Sequence, residues 1–275
     1  MPFKLVRHLP LVIIPLAIQV SFAERVCSNN DLFGLYGFSA SGRIFQPADT
    51  PITGPFARAG YATIDGSGKL SITSTASYNG LIFTEAFDGT YQVKPDCTFT
   101  YTANLGPPIN FPVQFNGVIY EGGKRADFIL ANPPGSTINA TIIRQNKTCS
   151  NADMAGSFAF NSSGTITAPA ESAGPVVRIG NLTAAANASP FARSRNEAGG
   201  TLKLSSTVSF AGNVRTENHT GTYTVKSNCT VTMELSADGG VTTVKYDGVF
   251  VNGKNQVLFV QNTAGTAVTG TLTEQ

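Results

Sequence analysis

The stretch GTYQVKPDCT at residues 89–98 returns at residues 221–230 as GTYTVKSNCT. A chain that writes one passage twice, with a cysteine at the same place in each copy, has duplicated a folding unit, and any account of it must satisfy both copies. The match extends outward: CSNND at 27–31 answers CSNAD at 149–153, and FNGVIYEGGKRADFILANPPG at 115–135 answers YDGVFVNGKNQVLFVQNTAG at 246–265. PFAR occurs at Pro55–Arg58 and again at Pro190–Arg193. The offset between the copies changes along the chain, so insertions fall in exposed connections, where they are tolerated. The Ala/Asn/Ser/Pro-rich stretch from Ala168 to Pro190 is expected to be the chief one. Two units result, 24–147 and 148–275, each large enough for its own core.

The first residues place Lys4, Arg7 and His8 before an apolar run from Leu9 to Val20, followed by Ser21 and Ala23. That pattern is an export signal over 1–23, with the mature chain starting at Glu24 and located in the periplasm or the medium. The apolar run is too short for a bilayer span, which needs about 20 residues. No later segment is long and apolar enough to span. Without Lys4 and Arg7, 19 basic residues become 17 against 17 acidic ones. A neutral chain with no basic cluster carries no electrostatic footprint for nucleic acid or an anionic membrane.

Four cysteines remain, Cys27, Cys97, Cys149 and Cys229, and an oxidising compartment makes disulfides the default. Of the three possible pairings, only Cys27 with Cys97 and Cys149 with Cys229 gives both units the same bond. Each bond would contribute about 4 kcal/mol in the chain-entropy picture. A zinc site would need converging ligands at short local spacings, and none is present.

Within a unit, short β-rich runs alternate with turn chemistry. KLSITSTAS and TLKLSSTVSF keep a period of two, and TYQV, TFTYTA, VQFNGVIY, ADFILA and TINATIIR supply β-branched and aromatic runs. IDGSG, YNG, FDG, EGG and NPPG read as turns between them. No stretch holds a helical period. The count predicts an all-β protein of two tandem antiparallel barrels, each of about eight strands, with β-sandwiches as the alternative. Closure hides strand edges that a Thr-rich, charge-poor chain does little to protect. In the repeated passage the Gly is expected to leave a turn, with Tyr91 and Val93 on the core face and Thr90 and Gln92 opposite.

GLYGF at 34–38, DGSGKL at 65–70, YNG and GTYQVKPDC together resemble a group of small exported bacterial proteins whose repeats carry G-T-Y-x-V-x-x-D-C. The resemblance covers nearly the whole mature chain and implies a barrel similar in outline to lipocalins, allene oxide cyclases and dirigent proteins. It implies no activity. Gly34 and Tyr36 stand where lipocalins place Gly-x-Trp, and Arg144 in the last strand would cover the barrel end near Tyr36. The second unit departs from this: Phe158 replaces Tyr36, Glu274 replaces Arg144 and Asn228 replaces Asp96, so no role can require Asp96 in both.

Catalytic chemistry finds little to stand on. The mature chain has one histidine, His219, matched by Phe87 in the first unit, which leaves no His-based metal site and no duplicated triad. GGKRAD at Gly122 lacks P-loop spacing and reads as a hairpin turn. No catalytic residue, metal ligand or cofactor motif is assigned. The N-x-S/T triplets at Asn139, Asn181 and Asn218 follow from composition. What both units retain is a polar set: Glu85 with Glu217, Arg58 with Arg193, and Lys94 with Lys226. A carboxylate and a guanidinium inside a barrel can orient a ligand.

The leading expectation is an exported, non-enzymatic binding protein whose barrels hold a small apolar molecule among Phe and Tyr side chains. The alternative is a structural or adhesive protein of the envelope or cell surface, its two units acting as linked contact points. A cyclase-like enzyme is third, and predicts a polar cluster built on Glu85 and Glu217 within the cavity.

Overall fold

The computed structural model describes residues 25–145, 148–187, 199–237 and 243–275. The expected leader, the junction at 147 and Arg193 lie outside the described residues. Strands β1 (Phe33–Ile44), β2 (Gly54–Asp65), β3 (Lys69–Tyr78), β4 (Leu81–Val93), β5 (Thr98–Asn104), β6 (Pro112–Tyr120), β7 (Arg125–Asn132) and β8 (Ser136–Arg144) form one closed antiparallel barrel. Strands β9 (Gly156–Ile166), β10 (Gly174–Ala186), β11 (Gly200–Phe210), β12 (Asn213–Val225), β13 (Thr230–Ala237), β14 (Thr243–Val251), β15 (Gln256–Gln261) and β16 (Thr266–Glu274) form a second. Each strand pairs with its sequence neighbours, and the first strand of each barrel pairs with the last. No helix among the described residues is long and apolar enough to cross a membrane.

The repeated passages build the closed end of each barrel. Cys27 bonds Cys97 and Cys149 bonds Cys229, tying the chain's approach to β1 or β9 to the turn before β5 or β13. Two disulfides of this kind fit a chain that matures in an oxidising, exported environment. Asn29 Oδ1 accepts from the Val93 amide at 2.7 Å, and Asn151 Oδ1 accepts from the Val225 amide at the same distance. The Tyr91 and Tyr223 hydroxyls donate to the Asn29 and Asn151 carbonyls. Asp96 Oδ1 and Asn228 Oδ1 both accept from the backbone of the threonine two residues on, so the acid and the amide do one job. As expected, Tyr91 and Val93 are buried while Thr90 and Gln92 are exposed.

Two local expectations are corrected. FDG at 87–89 is no turn: Gly89 lies within β4 and Gly221 within β12. At Gly89 a Cβ would meet the Leu70 side chain at 3.3 Å and the Thr102 carbonyl oxygen at 2.5 Å, so the glycine serves close strand packing. The stretch 168–190 is not mainly an inserted loop, because Gly174–Ala186 is β10, whose inward positions include Arg178, Leu182 and Ala184. Apolar outward residues, Val177 and Ile179, and a glycine and an arginine at the inward positions 180 and 178 hid that alternation. The extra length lies instead between β10 and β11, where 187–199 replaces the short turn 66–68 of the first barrel.

The barrels pack side by side. Ala57 and Ala59 of β2 meet Val260 and Ala267, while Ile143 meets Val249, Val251 and Leu258. Thr75 Oγ1 donates to Asp247 Oδ2 at 2.7 Å, and Gln145 Nε2 donates to the Asn228 carbonyl at 2.7 Å. The Gly265 amide donates to the Gly80 carbonyl at 2.9 Å, joining the β3–β4 and β15–β16 turns, so corresponding ends of the barrels face the same way.

Candidate functional site: the cavity of the first barrel

Alternation along eight strands sends every second side chain inward, and in the first barrel those side chains leave a cavity of about 460 Å³. That is within the range of small-molecule sites. Its wall is overwhelmingly apolar, with Phe38, Phe56, Phe87, Phe99, Phe115 and Phe128 among the lining residues. One end is closed by Leu32 and Tyr36. The Tyr36 hydroxyl donates to the Gly123 carbonyl at 2.7 Å, and Arg144 Nη2 donates to the Tyr36 hydroxyl at 2.9 Å. The Arg144 guanidinium also lies over the Tyr36 ring, at 5.3 Å from its centroid, the placement expected from the sequence.

The other end is the mouth. It is formed by 45–53, 79–80, 105–111 and 133–135, and Asp49 is the only charged residue in those four segments. Phe45, Leu81 and Phe111 stand exposed there. The closed end, by contrast, carries Arg25, Asp31, Lys94, Asp96, Glu121 and Lys124.

Inside this apolar wall lies a buried ion pair. Arg58 on β2 and Glu85 on β4 pair across β3, with both side chains more than nine-tenths buried. Arg58 Nη2 also donates to the Tyr78 hydroxyl at 2.5 Å, and that hydroxyl donates to Glu85 Oε1 at 2.8 Å. Each Glu85 oxygen therefore has a donor: Tyr78 on Oε1 and Arg58 on Oε2. The guanidinium sits 5.2–5.7 Å from the centroids of Phe56, Phe87 and Tyr78, a cage whose ring faces favour a cation. Burial pulls the Arg58 pKa down, but Tyr78 and Glu85 more than offset it, so it lies above its ordinary value. Burial likewise pushes the Tyr78 and Tyr101 hydroxyls well up, which keeps both protonated at neutral pH.

The second barrel is built differently. Its inward Phe158, Phe160, Leu182, Leu202, Leu204, Met233, Tyr246, Phe250 and Phe259 are 0–2% exposed. The corresponding first-barrel residues Phe38, Leu70, Ile72 and Phe115 keep 5–8%. Because these also point inward, what they face is the cavity.

Several inward positions differ in size, such as Ala62 against Leu182, and one register position changes how a ring packs. Ala140 pairs with Ala40 and Phe128, and its counterpart Gly270 pairs with Ser162 and Phe259. A Cβ at Gly270 would meet the Phe259 ring at 2.7 Å (Cε2), so the absence of a side chain lets that ring lie against the strand. There Phe259 packs on Phe160 and Tyr246, with centroids 5.2 Å apart in each pair. In the first barrel the Ala140 methyl occupies that space. Phe128 instead joins an aromatic wall with Phe99, Tyr101 and Phe115, leaving the centre open.

The polar set read from the sequence splits three ways. Arg58 and Glu85 meet inside the first barrel. In the second, Glu217 is paired by Arg178 at 2.6 Å and by Arg215 at 2.7 Å. Arg178 pairs with Ser162 as Arg58 pairs with Ala40, so Arg178, not Arg193, is the counterpart of Arg58. The repeated PFAR drew attention away from it. Lys94 and Lys226 are exposed in turns at the closed ends. His219 is buried at the position of Phe87, with Nε2 3.7 Å from Glu217. Among the described residues no cluster of His, Cys, Asp and Glu could hold a metal ion. Sequence reading missed Tyr78, Arg178 and Tyr101. Tyr78 lay in a run noticed only for its turn, YNG.

No protein-family model matches the chain, and no curated protein does. Three solved structures align over most of its length. Immune modulator A of Aeromonas veronii is 10% identical over 88% of this chain and 94% of that one, with a TM-score of 0.25. A protein assigned as AttH from Nitrosomonas europaea is 10% identical over 95% and 98%, with a TM-score of 0.26. The Myxococcus xanthus hemagglutinin, in complex with a3,a6-mannopentaose, is 14% identical over 86% and 99%, with a TM-score of 0.15. Likeness at this level assigns neither a family nor a function to the chain.

Proposed function

We propose that this chain is an exported binding protein in which the first barrel carries a small apolar molecule and the second is a filled packing partner. The observation that carries the reading is the contrast between an apolar cavity of about 460 Å³ in one barrel and fully buried aromatic residues in the other. A cavity of that size, closed at one end and rimmed at the other by loops whose only charged residue is Asp49, provides burial for a molecule that water solvates poorly. The motif-bearing group of exported repeat proteins described above is the family setting of this proposal. Export by a leader at 1–23 and units at 24–147 and 148–275 belong to it as well.

The enzyme reading has one specific observation in its favour, the Arg58–Tyr78–Glu85 cluster beside the cavity. A general base needs an oxygen open to a substrate proton. Both Glu85 oxygens already accept hydrogen bonds, so the cluster supports the wall of a binding site better than it supports proton transfer.

Native mass spectrometry of protein purified gently from its own host tests the proposal. A mass excess that leaves on denaturation is expected. A bare mass, together with failure to bind a neutral apolar dye such as N-phenyl-1-naphthylamine, would contradict it.

A further inference from the structure

We infer that the first barrel selects an electrically neutral, mostly apolar molecule bearing one oxygen acceptor, which the Tyr101 hydroxyl holds; this rests on the reading of that barrel as a ligand site. Two independent features of the cavity point to this chemistry.

The first is charge balance. Among the described residues Arg58 is the only charged one lining the cavity, and Glu85, paired with it, already matches its charge. Arg58 Nε, itself buried, is left without an acceptor among the described residues, but in charge the pair is balanced, so a guest carboxylate would be a second negative charge set against one guanidinium. A guest ammonium would find both Glu85 oxygens engaged. Burying an unmatched charge is strongly unfavourable, whereas a neutral guest leaves the balance intact.

The second is an idle donor. Tyr101 lines the cavity, is 5% exposed, and its hydroxyl has no hydrogen-bond partner among the described residues. Buried tyrosine hydroxyls ordinarily find a partner. The ring is held in place, stacked on Phe115 with centroids 4.7 Å apart and set edge-on to Phe128 at 5.7 Å, so the hydroxyl has a fixed position. Burial keeps it protonated, and it therefore offers an O–H. The fold does not require a hydroxyl here, because Met233 takes the same place opposite Tyr223 that Tyr101 takes opposite Tyr91. A carbonyl, ester or ether oxygen on the guest would complete the site.

Competition on the full mature chain tests this, with N-phenyl-1-naphthylamine as the reporter dye and methyl dodecanoate, dodecanoate and dodecane as competitors. At about pH 8 the carboxylate is fully ionised. The methyl ester is expected to compete about three- to tenfold better than the alkane, the increment of one neutral hydrogen bond. Dodecanoate is expected to compete less well than the ester. Tyr101→Phe should shrink the ester-to-alkane ratio toward one. Dodecanoate binding as tightly as the ester, or an undiminished ratio in Tyr101→Phe, would overturn the inference while leaving an apolar site standing. Absence of dye binding in the wild-type chain would overturn both.

Discussion

Where β8 passes the middle of the first barrel it carries Ala140, and where β16 passes the middle of the second it carries Gly270. The positions share a register, a neighbouring strand and a facing phenylalanine, yet one barrel encloses a cavity and the inward side chains of the other are almost completely buried. Duplication preserved what closes each barrel: the disulfide, the asparagine that bonds the end of β4 or β12, and the tyrosine that bonds back to it. It left the interior free to diverge. The charged residues diverged in the same sense. Arg58 and Glu85 are sealed in an aromatic cage, whereas Glu217 is shared between Arg178 and an exposed Arg215.

The largest expected effect comes from the cysteines. Replacing Cys27 and Cys97, or Cys149 and Cys229, by serine should remove about 4 kcal/mol in either barrel, since the loops of 70 and 80 residues are nearly equal in closure entropy. Thermal unfolding of the two double variants should then show the hollow barrel melting first. Equal melting would mean that the cavity does not weaken the first core.

The ion pair of the first barrel is expected to matter about as much. Arg58→Met or Glu85→Gln strands a buried charge or its partner and should destabilise the protein by about 3–5 kcal/mol. Glu217→Gln should have a smaller effect, because solvent and a second arginine share the site. Chemical denaturation would rank the three. A Glu217 variant as damaging as a Glu85 variant would erase the distinction between sealed and open pairs.

Steric swaps at the shared register position act more locally. Gly270→Ala pushes on the Asn161 carbonyl oxygen of β9 as well as on the Phe259 ring and should destabilise the second barrel by about 1–3 kcal/mol. Ala140→Phe places a ring into open space and should abolish dye binding with little change in melting temperature. Calorimetry with and without dye would check both.

The smallest effect is electrostatic. Burial raises the Glu217 pKa, but Arg215, Arg178 and His219 outweigh it and hold the carboxyl below its ordinary value of 4.5. A depressed folded-state pKa stabilises the fold above the unfolded value and loses that contribution as pH falls through the folded one. The wild-type chain should therefore lose more melting temperature than Glu217→Gln between about pH 5 and 3. Parallel curves would contradict the pairing.

Barrel architecture was legible in the sequence because alternation and turn chemistry are local, and the duplicated cysteines selected the disulfide pairing by symmetry. β10 was not legible: its outward Val177 and Ile179 are apolar while its inward positions include Arg178 and Gly180, and the repeated PFAR offered a false anchor at Arg193 for the role held by Arg178. The cavity was legible only as a possibility for both barrels. Whether eight strands enclose a space or fill it depends on how rings from different strands settle against one another, and on a single methyl at Ala140 that no local pattern marks. Tyr101 escaped notice for a related reason, since an unmet hydroxyl becomes visible only once its surroundings are known.

On the proposed function, one barrel binds and the other does not. Fluorescence titration of the mature chain with N-phenyl-1-naphthylamine, read for stoichiometry and repeated in Ala140→Phe, tests it most directly. One site per chain, lost in Ala140→Phe, is expected; two sites, or one site that survives the substitution, would contradict a division of labour between the barrels.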